Sequence, residues 1–218
     1  MPPTTSQLLR LALPLIPQYG FTRTALSRSI LHLKSENDTH SEPLSDTAVS
    51  ALFGTGDRAR KTLINAWLDA GLESMNAAER PATSVGDALH ARLRYNEPVL
   101  EHLPEAFALL SVPDSTVSPY PLDPLPALQH SARIADEACY LSGDQSLRLS
   151  WYARRAALMG VYGAAELHQL TSPSSAHAFL DNLLETSKAI ESSVSSVGQF
   201  SEYVVRSWAG IARSRGLL

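Results

Sequence analysis

The spacing of apolar residues is the feature that most constrains this chain. Between Leu8 and Ile16, and again in most later segments, apolar residues recur every three or four positions, as they do along one face of an α-helix. No segment alternates apolar and polar residues for long enough to indicate a strand. Apolar residues make up 44% of the chain, which is enough for a core. The sequence therefore predicts an all-α protein of around nine helices.

Glycine and proline residues show where these helices end. Gly20 follows the first helix and Gly54 follows a short helix over 45–53, in the position just past the last turn that glycine favours. The prolines between residues 113 and 126 exclude a helix there, because proline has no amide donor and a fixed φ. We predict three parts: a helix-turn-helix-like unit over 1–75, a helical core over 76–192, and an amphipathic helix over 193–218.

The first part resembles the N-terminal region of TetR-type repressors in its order of helices. A recognition helix must present Arg, Lys, Asn or Gln to base edges, with cations nearby for phosphates. The helix over 45–53 has none of these side chains and contains Asp46, and the net charge of the whole chain is -4. We therefore expect a TetR-like bundle that does not bind nucleic acid. A TetR-type, ligand-responsive DNA-binding transcriptional regulator is the alternative.

The most distinctive segment lies in the C-terminal half. It reads Gly143-Asp144-Gln145-Ser146, followed closely by Trp151-Tyr152-Ala153-Arg154-Arg155-Ala156. This segment resembles the C-terminal core of the COQ9 family of ubiquinone-biosynthesis proteins, and residues 12–22 are similar to the opening helix of that family. The flanks depart from the pattern: residues 147–150 replace a more polar stretch, and Ala165 stands where threonine is common.

The resemblance implies a TetR-like fold that binds an isoprenoid or phospholipid in an apolar cavity, with no cofactor besides that lipid. It implies a peripheral protein on the matrix side of the inner mitochondrial membrane, which presents a quinone intermediate to the di-iron hydroxylase of the pathway. Arg155 matches an arginine that meets a phospholipid head group. Trp151 and Tyr152 match a surface patch that binds the hydroxylase, and we place Asp144 with them. A homodimer is also expected.

The residue types support these assignments and leave alternatives open. Trp151 and Tyr152 begin a helix, where they could anchor an interface or pack in the core. Arg154 and Arg155 offer forked donors that suit phosphate, or form a solvated surface pair. Apolar positions on the later helices could line a lipid cavity or form ordinary core; these are Phe107, Leu110, Ile134, Leu158 and Tyr162, with Tyr140 as a further candidate.

The last predicted helix carries an apolar stripe formed by Phe200, Val204, Trp208 and Ile211. An amphipathic helix with aromatic residues on one face and arginines off it suits a membrane surface. The same stripe could instead dock on its own domain or pair with a second copy. No run of about 18 apolar residues, as a membrane-spanning helix needs, occurs in the chain. The first residues also lack the Arg-rich pattern of a transit peptide.

Catalytic motifs are missing from the sequence. It contains no Glu-x-x-His, P-loop or Gly-x-Ser-x-Gly pattern. Cys139 is the only cysteine, which excludes a cysteine-cluster metal site and an internal disulfide. His130 lies nine residues from Cys139 on the same predicted helix, too far to activate it. We therefore predict that the protein is not an enzyme and has neither catalytic residues nor metal ligands.

Overall fold

A computed structural model describes residues 4–33, 41–76, 84–113, 122–144 and 149–191. Every regular element in these ranges is helical, which confirms the predicted all-α class. None of their helices is both long and apolar enough to cross a bilayer. The helices are α1 Thr5–Ala12, α2 Ile16–Tyr19, α3 Arg23–Arg28, α4 Asp46–Phe53, α5 Asp57–Asn76, α6 Val85–Asn96, α7 Leu103–Leu110, α8 Leu125–Leu141, α9 Leu149–Thr171 and α10 Ala176–Glu191, with short 3-10 turns at Leu13–Leu15, Ser29–His32, Glu97–Val99 and Pro173–Ser175.

The chain divides into two compact units. The first unit comprises Met1–Ala70 and Glu101–Leu109, and the second comprises Gly71–Leu100 and Leu110–Leu218. The predicted C-terminal helix over 193–218, with Phe200, Val204, Trp208 and Ile211, lies outside the described residues.

Caps and a tight glycine turn shape the start of the first unit. The Thr4 hydroxyl accepts a hydrogen bond from the Gln7 amide at 3.2 Å and so caps α1. Pro14 and Pro17 follow, and the single helix predicted across this stretch is instead divided into α1, a 3-10 turn and α2. Gly20 ends α2 with a φ of 65°, a conformation that favours glycine, and a Cβ there would lie 3.2 Å from His102 Nδ1.

Two cations beside α4 in the first unit, Arg23 and Arg60, are bound to acids and carbonyl groups. Arg23 Nη2 donates to Asp46 Oδ1 at 2.6 Å and to Ser50 Oγ at 2.7 Å. Arg60 pairs with Asp57 at 3.3 Å and with Glu105. A helix that reads DNA needs flanking cations that are available to phosphates. These internal ion pairs therefore disfavour the regulator alternative.

The second unit packs α6, α8, α9 and α10 around one apolar cluster. Helices α8 and α9 run antiparallel and approach closely where Gly163 faces Ser131; a Cβ on the glycine would lie 3.2 Å from the serine Oγ. The cluster is formed by small and branched side chains that interdigitate, which gives the close packing typical of protein interiors. Its most buried members are Leu89, Leu93, Ile134, Ala135, Ala138, Cys139, Val161, Tyr162, Ala165 and Leu180.

A polar network centred on Glu166 crosses this core. The Glu166 Oε1 atom accepts hydrogen bonds from Tyr162 Oη at 2.7 Å and from Asn96 Nδ2 at 2.9 Å, and lies 3.3 Å from His130 Nε2. Burial alone would raise the pKa of Glu166, but the charges of His130 and Arg92, with the hydrogen bonds from His130 and Tyr162, lower it to about 2. The carboxylate is therefore ionised in the core at neutral pH.

Arg92 supplies the buried positive charge of this network. Its side chain is 0% exposed, and its Nη1 donates to Asn96 Oδ1 at 2.6 Å. The guanidinium lies flat against Gly71, where a Cβ would stand 2.9 Å from Arg92 Cζ and 3.0 Å from the Tyr95 ring. Arg92 Nε has no hydrogen-bond partner among the described residues. Gly71 is therefore required by the close approach of the buried arginine.

Candidate functional site

The turn between α8 and α9 is built on Gly143. Its φ is 67°, and its amide donates to the Tyr140 carbonyl at 3.1 Å, while the Asp144 amide donates to the Cys139 carbonyl at 3.0 Å. These two bonds form a Schellman motif, which satisfies the last carbonyl groups of α8. The Gly-Asp pair of the sequence motif is thus a helix stop, and it places Asp144 next to the start of α9.

Asp144 binds the two arginines of the motif. Its Oδ1 lies 3.4 Å from Arg154 Nη1, and its Oδ2 lies 3.4 Å from Arg155 Nη1. The carboxylate side chain is only 4% exposed, so it depends on these cations to offset its loss of hydration. Three residues predicted from the sequence therefore lie together: Asp144, Arg154 and Arg155.

Arg155 is held on three sides. Its Nε donates to Asp136 Oδ1 at 2.6 Å, and its Cζ lies 3.9 Å from the centre of the Trp151 ring, in cation–π contact. Partial burial works against the charged form, but the hydrogen bond to Asp136 and the nearby negative charges raise the pKa of Arg155. Asp136 was not predicted from the sequence, because it precedes Arg155 by 19 residues and no sequence motif links the two.

The aromatic pair lies beside this ion cluster. Trp151 and Tyr152 meet edge to face, with ring centres 4.7 Å apart, and Tyr152 is 68% exposed whereas Trp151 is half-buried. Tyr140 is also exposed, at 76%, rather than buried with the core. It lies four residues beyond Asp136, and Tyr152 lies three before Arg155, so both tyrosines flank the Asp136–Arg155 ion pair at one end of the helix hairpin.

A cleft of about 700 Å³ opens in the second unit near this turn. Among its lining residues are Asp144, Arg154 and Leu158, each predicted from the sequence. Arg154 is 39% exposed and shares the cleft with Lys188, while Leu158 and Leu184 supply apolar wall. The volume lies within the range of small-ligand sites in proteins.

The other predicted lipid-lining residues lie in the two cores. Ile134, Leu158 and Tyr162 belong to the apolar cluster of the second unit, where the Tyr162 hydroxyl binds Glu166. Leu110 is buried in the same unit, and Phe107 is buried in the first unit. Their assignment as lipid contacts stays a prediction. Gln145 and Ser146 of the motif lie outside the described residues.

The described part of the chain shows little nucleophilic or metal-binding chemistry around this turn. Cys139 is buried, and burial raises the pKa of its thiol despite the opposing charge of Arg155. The thiol is therefore protonated at neutral pH, and a protonated thiol is a poor nucleophile. Within the described ranges, no group of three or more His, Cys, Asp or Glu side chains could hold a metal ion.

Fold and site together define an α-helical protein that presents exposed aromatic residues from an ion-paired turn. The COQ9 family model matches residues 125–191, which run from α8 to the end of α10. The chain is 28% identical to the ubiquinone biosynthesis protein COQ9-A, mitochondrial, of Xenopus laevis, over 94% of this chain and 64% of the relative. Over most of its length, the chain is thus similar to COQ9-family ubiquinone biosynthesis proteins.

Two further relatives extend the comparison. The chain is 28% identical to the mitochondrial ubiquinone biosynthesis protein coq9 of Schizosaccharomyces pombe, over 96% of this chain and 80% of the relative. It is 26% identical to the mitochondrial COQ9 protein of Homo sapiens, over 94% of this chain. The chain spans 64% of the length of both the human and the Xenopus laevis relatives.

Proposed function

We propose that this chain works in ubiquinone biosynthesis as a lipid-binding accessory protein and not as an enzyme. It binds an isoprenoid or phospholipid and presents a quinone intermediate to the di-iron hydroxylase of the pathway. Its place is peripheral, on the matrix side of the inner mitochondrial membrane. Support comes from the family and from relatives named as mitochondrial ubiquinone biosynthesis proteins.

The observation that carries the partner surface is the exposed Tyr152 beside a Trp151 ring that is already fixed. Aromatic side chains dominate binding energy where they enter a pocket of the partner. The stack of Arg155 on Trp151, backed by Asp136, orders that ring before any partner arrives. Binding then costs less side-chain entropy, because one of the two anchors is preorganised.

The cleft and Arg154 are the part of the second unit that best fits a lipid. Arg155 donates hydrogen bonds to Asp136 and Asp144, and in this proposal it positions the Trp151 ring. Arg154 is the more exposed of the two and lines the cleft. A guanidinium at the rim of a partly apolar cleft suits a phosphate head group, with the chain of the lipid along Leu158 and Leu184.

The partner surface is tested with Tyr152→Ala in a binding assay against the purified hydroxylase. Loss of an anchor tyrosine weakens binding by roughly 30-fold or more, while the free energy of unfolding changes by less than about 0.5 kcal/mol because the side chain is exposed. The control is Leu125→Ala, an exposed apolar residue at the other end of α8. Equal loss in both variants, or none in either, would contradict the proposal.

The lipid is tested by denaturing extraction of the purified protein followed by mass spectrometry. We expect an isoprenoid or phospholipid at about one per chain, reduced in Arg154→Ala and retained in the control Arg133→Ala, an exposed arginine on α8. Lipid-free protein would refute this part.

Light scattering and vesicle flotation test the homodimer and the membrane contact predicted for residues 193–218. A shift of mixed DNA duplexes at low salt would instead favour the regulator alternative.

A further inference from the structure

Two histidines of the second unit converge on one point. His90 of α6 and His177 of α10 stack with ring centres 5.0 Å apart, and their Nδ1 atoms lie 2.7 Å from one another. Both rings are partly open to solvent, and His90 lines the cleft. No spacing motif could have indicated this pair, because 87 residues separate its members.

The outer nitrogen of each ring faces a carboxylate. His90 Nε2 lies 2.7 Å from Asp181 Oδ1, and His177 Nε2 lies 3.5 Å from Glu97 Oε1. A histidine that ligates a metal usually donates its other ring N–H to such a carboxylate, which fixes the tautomer and makes the ligating nitrogen more basic. Here both histidines have that arrangement, and both therefore aim Nδ1 at the shared point.

The contact between the two Nδ1 atoms also fixes a proton count. A hydrogen bond across 2.7 Å needs one proton between them, since two protons would clash and two lone pairs would repel. A metal ion bound to both Nδ1 atoms would take the place of that proton.

We propose that His90 and His177 form a binding site for one divalent transition-metal ion of the Zn²⁺ type, ligated through both Nδ1 atoms with water completing the shell. Zinc–nitrogen bonds of about 2.05 Å at a tetrahedral angle separate the two nitrogens by roughly 3.3 Å. From 2.7 Å, each nitrogen must retreat by about 0.3 Å, and both rings must turn so that the two Nδ1 lone pairs meet at the ion. Asp181 and Glu97 stay as the carboxylates that orient the ligands.

This site differs from a resident metal centre. The described residues hold no group of three or more potential ligands, so the ion keeps bound water and exchanges readily. Imidazole suits Zn²⁺ and Cu²⁺, whereas Mg²⁺ prefers oxygen ligands. Binding joins α6 to α10 and requires both Nδ1 atoms to be free of hydrogen, so the ion competes with protons for them.

The experiment is calorimetric titration of the full chain with ZnCl₂ near pH 7.5, in two buffers of different ionisation enthalpy. We expect one site, and no response to MgCl₂. In a ¹⁵N spectrum of the histidine side chains, the Nδ1 resonances of His90 and His177 both shift during the zinc titration. That spectrum is recorded on the unaltered protein, so it does not depend on a variant that folds.

Variants then separate this site from the other histidines. His90→Gln and His177→Gln each abolish the site, and Asp181→Asn weakens it by about tenfold because it removes the orienting carboxylate. The control is His168→Gln, whose ring stacks on Phe179 and faces the Ser175 hydroxyl, and which leaves the titration unchanged. Zinc binding that moves neither Nδ1 resonance, or no zinc binding at all, would overturn the proposal and leave a hydrogen-bonded pair only.

Discussion

Helix α9 carries two charged clusters of similar composition but opposite setting. Glu166 lies in the core with Asn96, Tyr162 and His130, while Arg155 lies near the surface between Asp136 and Asp144. In the core, the charges must be satisfied completely, because an unpaired ion there costs several kcal/mol. Around Arg155, water reaches Asp136 and Arg154 but hardly reaches the Asp144 carboxylate, and the ion pairs also hold an aromatic ring. Burial, rather than the residue types, decides what each cluster does.

Glu166→Gln is expected to have the largest effect on stability. The amide has nearly the same shape, and its Oε1 can still accept from Tyr162 and Asn96, but Arg92 loses its buried counter-charge. Breaking one partner of a buried ion network costs about 3–5 kcal/mol, which denaturant unfolding would measure. The surface counterpart Asp144→Asn serves as the comparison. If the two variants lose equal stability, the contrast between the clusters is wrong.

The pH dependence of stability should separate the clusters next. The pKa of Glu166 falls from an ordinary 4.5 to about 2 in the folded protein. Its contribution is therefore fully present above pH 4.5 and is lost as the pH falls toward 2, by an amount on the order of 3 kcal/mol. Urea unfolding between pH 6 and pH 2 should show this slope in the native protein and lose it in Glu166→Gln. An unchanged slope in the variant would assign acid sensitivity to other carboxylates.

Gly71→Ala probes the packing of the buried cluster without changing a charge. The new Cβ would lie 2.9 Å from Arg92 Cζ, so the guanidinium or the Tyr95 ring must move. Overpacking of this kind costs about 1–3 kcal/mol, although alanine is otherwise the better helix former. Thermal unfolding compared with Gly56→Ala, where no atom lies within 4 Å of the new Cβ but the positive φ strains alanine, separates packing from backbone strain. A stabilised Gly71→Ala would contradict the close contact.

Asp144→Asn should give the smallest change in stability, about 1 kcal/mol, because Arg155 keeps Asp136 and both arginines reach solvent. Its effect on the site should be clearer than its effect on folding. The turn loses the charge that holds Arg155 over Trp151, so the tryptophan fluorescence spectrum should shift toward that of an exposed ring. An unaltered spectrum would mean that Asp136 alone orders the stack.

Local features of this fold could be predicted from the sequence, whereas pairings across long separations could not. Ser45 and Ser84 cap α4 and α6, as expected from the residue types that precede apolar runs. The turn motif likewise brought Asp144, Arg154 and Arg155 together, because few residues lie between them. The bond from Asn96 to Glu166 joins residues 70 apart, and nothing in their spacing indicates it. Such contacts depend on how helices pack, which periodicity alone leaves open.

The breaks within helices show a second limit. Apolar periodicity continues across residues 8–16 and 22–33, and this spacing predicts one helix in each. The structure instead has 3-10 turns in both segments: the first contains Pro14, and the second ends its segment at Ser29–His32. Periodicity reports which side of a segment is buried, and that side is nearly the same for an α-helix and a short 3-10 turn.

The continuity of α9 has a mechanical consequence. Its 23 residues form a rod of about 34 Å that runs from the exposed Tyr152 past the Glu166 network. Hydrogen bonds of this network join α9 to α6 and α8. The close contact of Gly163 with Ser131 opposes sliding of α9 along α8. The Glu166 network, 14 residues beyond Tyr152, therefore resists both rotation and sliding of α9 when a force acts on its aromatic end. The aromatic end of α9 therefore keeps a fixed angle to the core of the second unit.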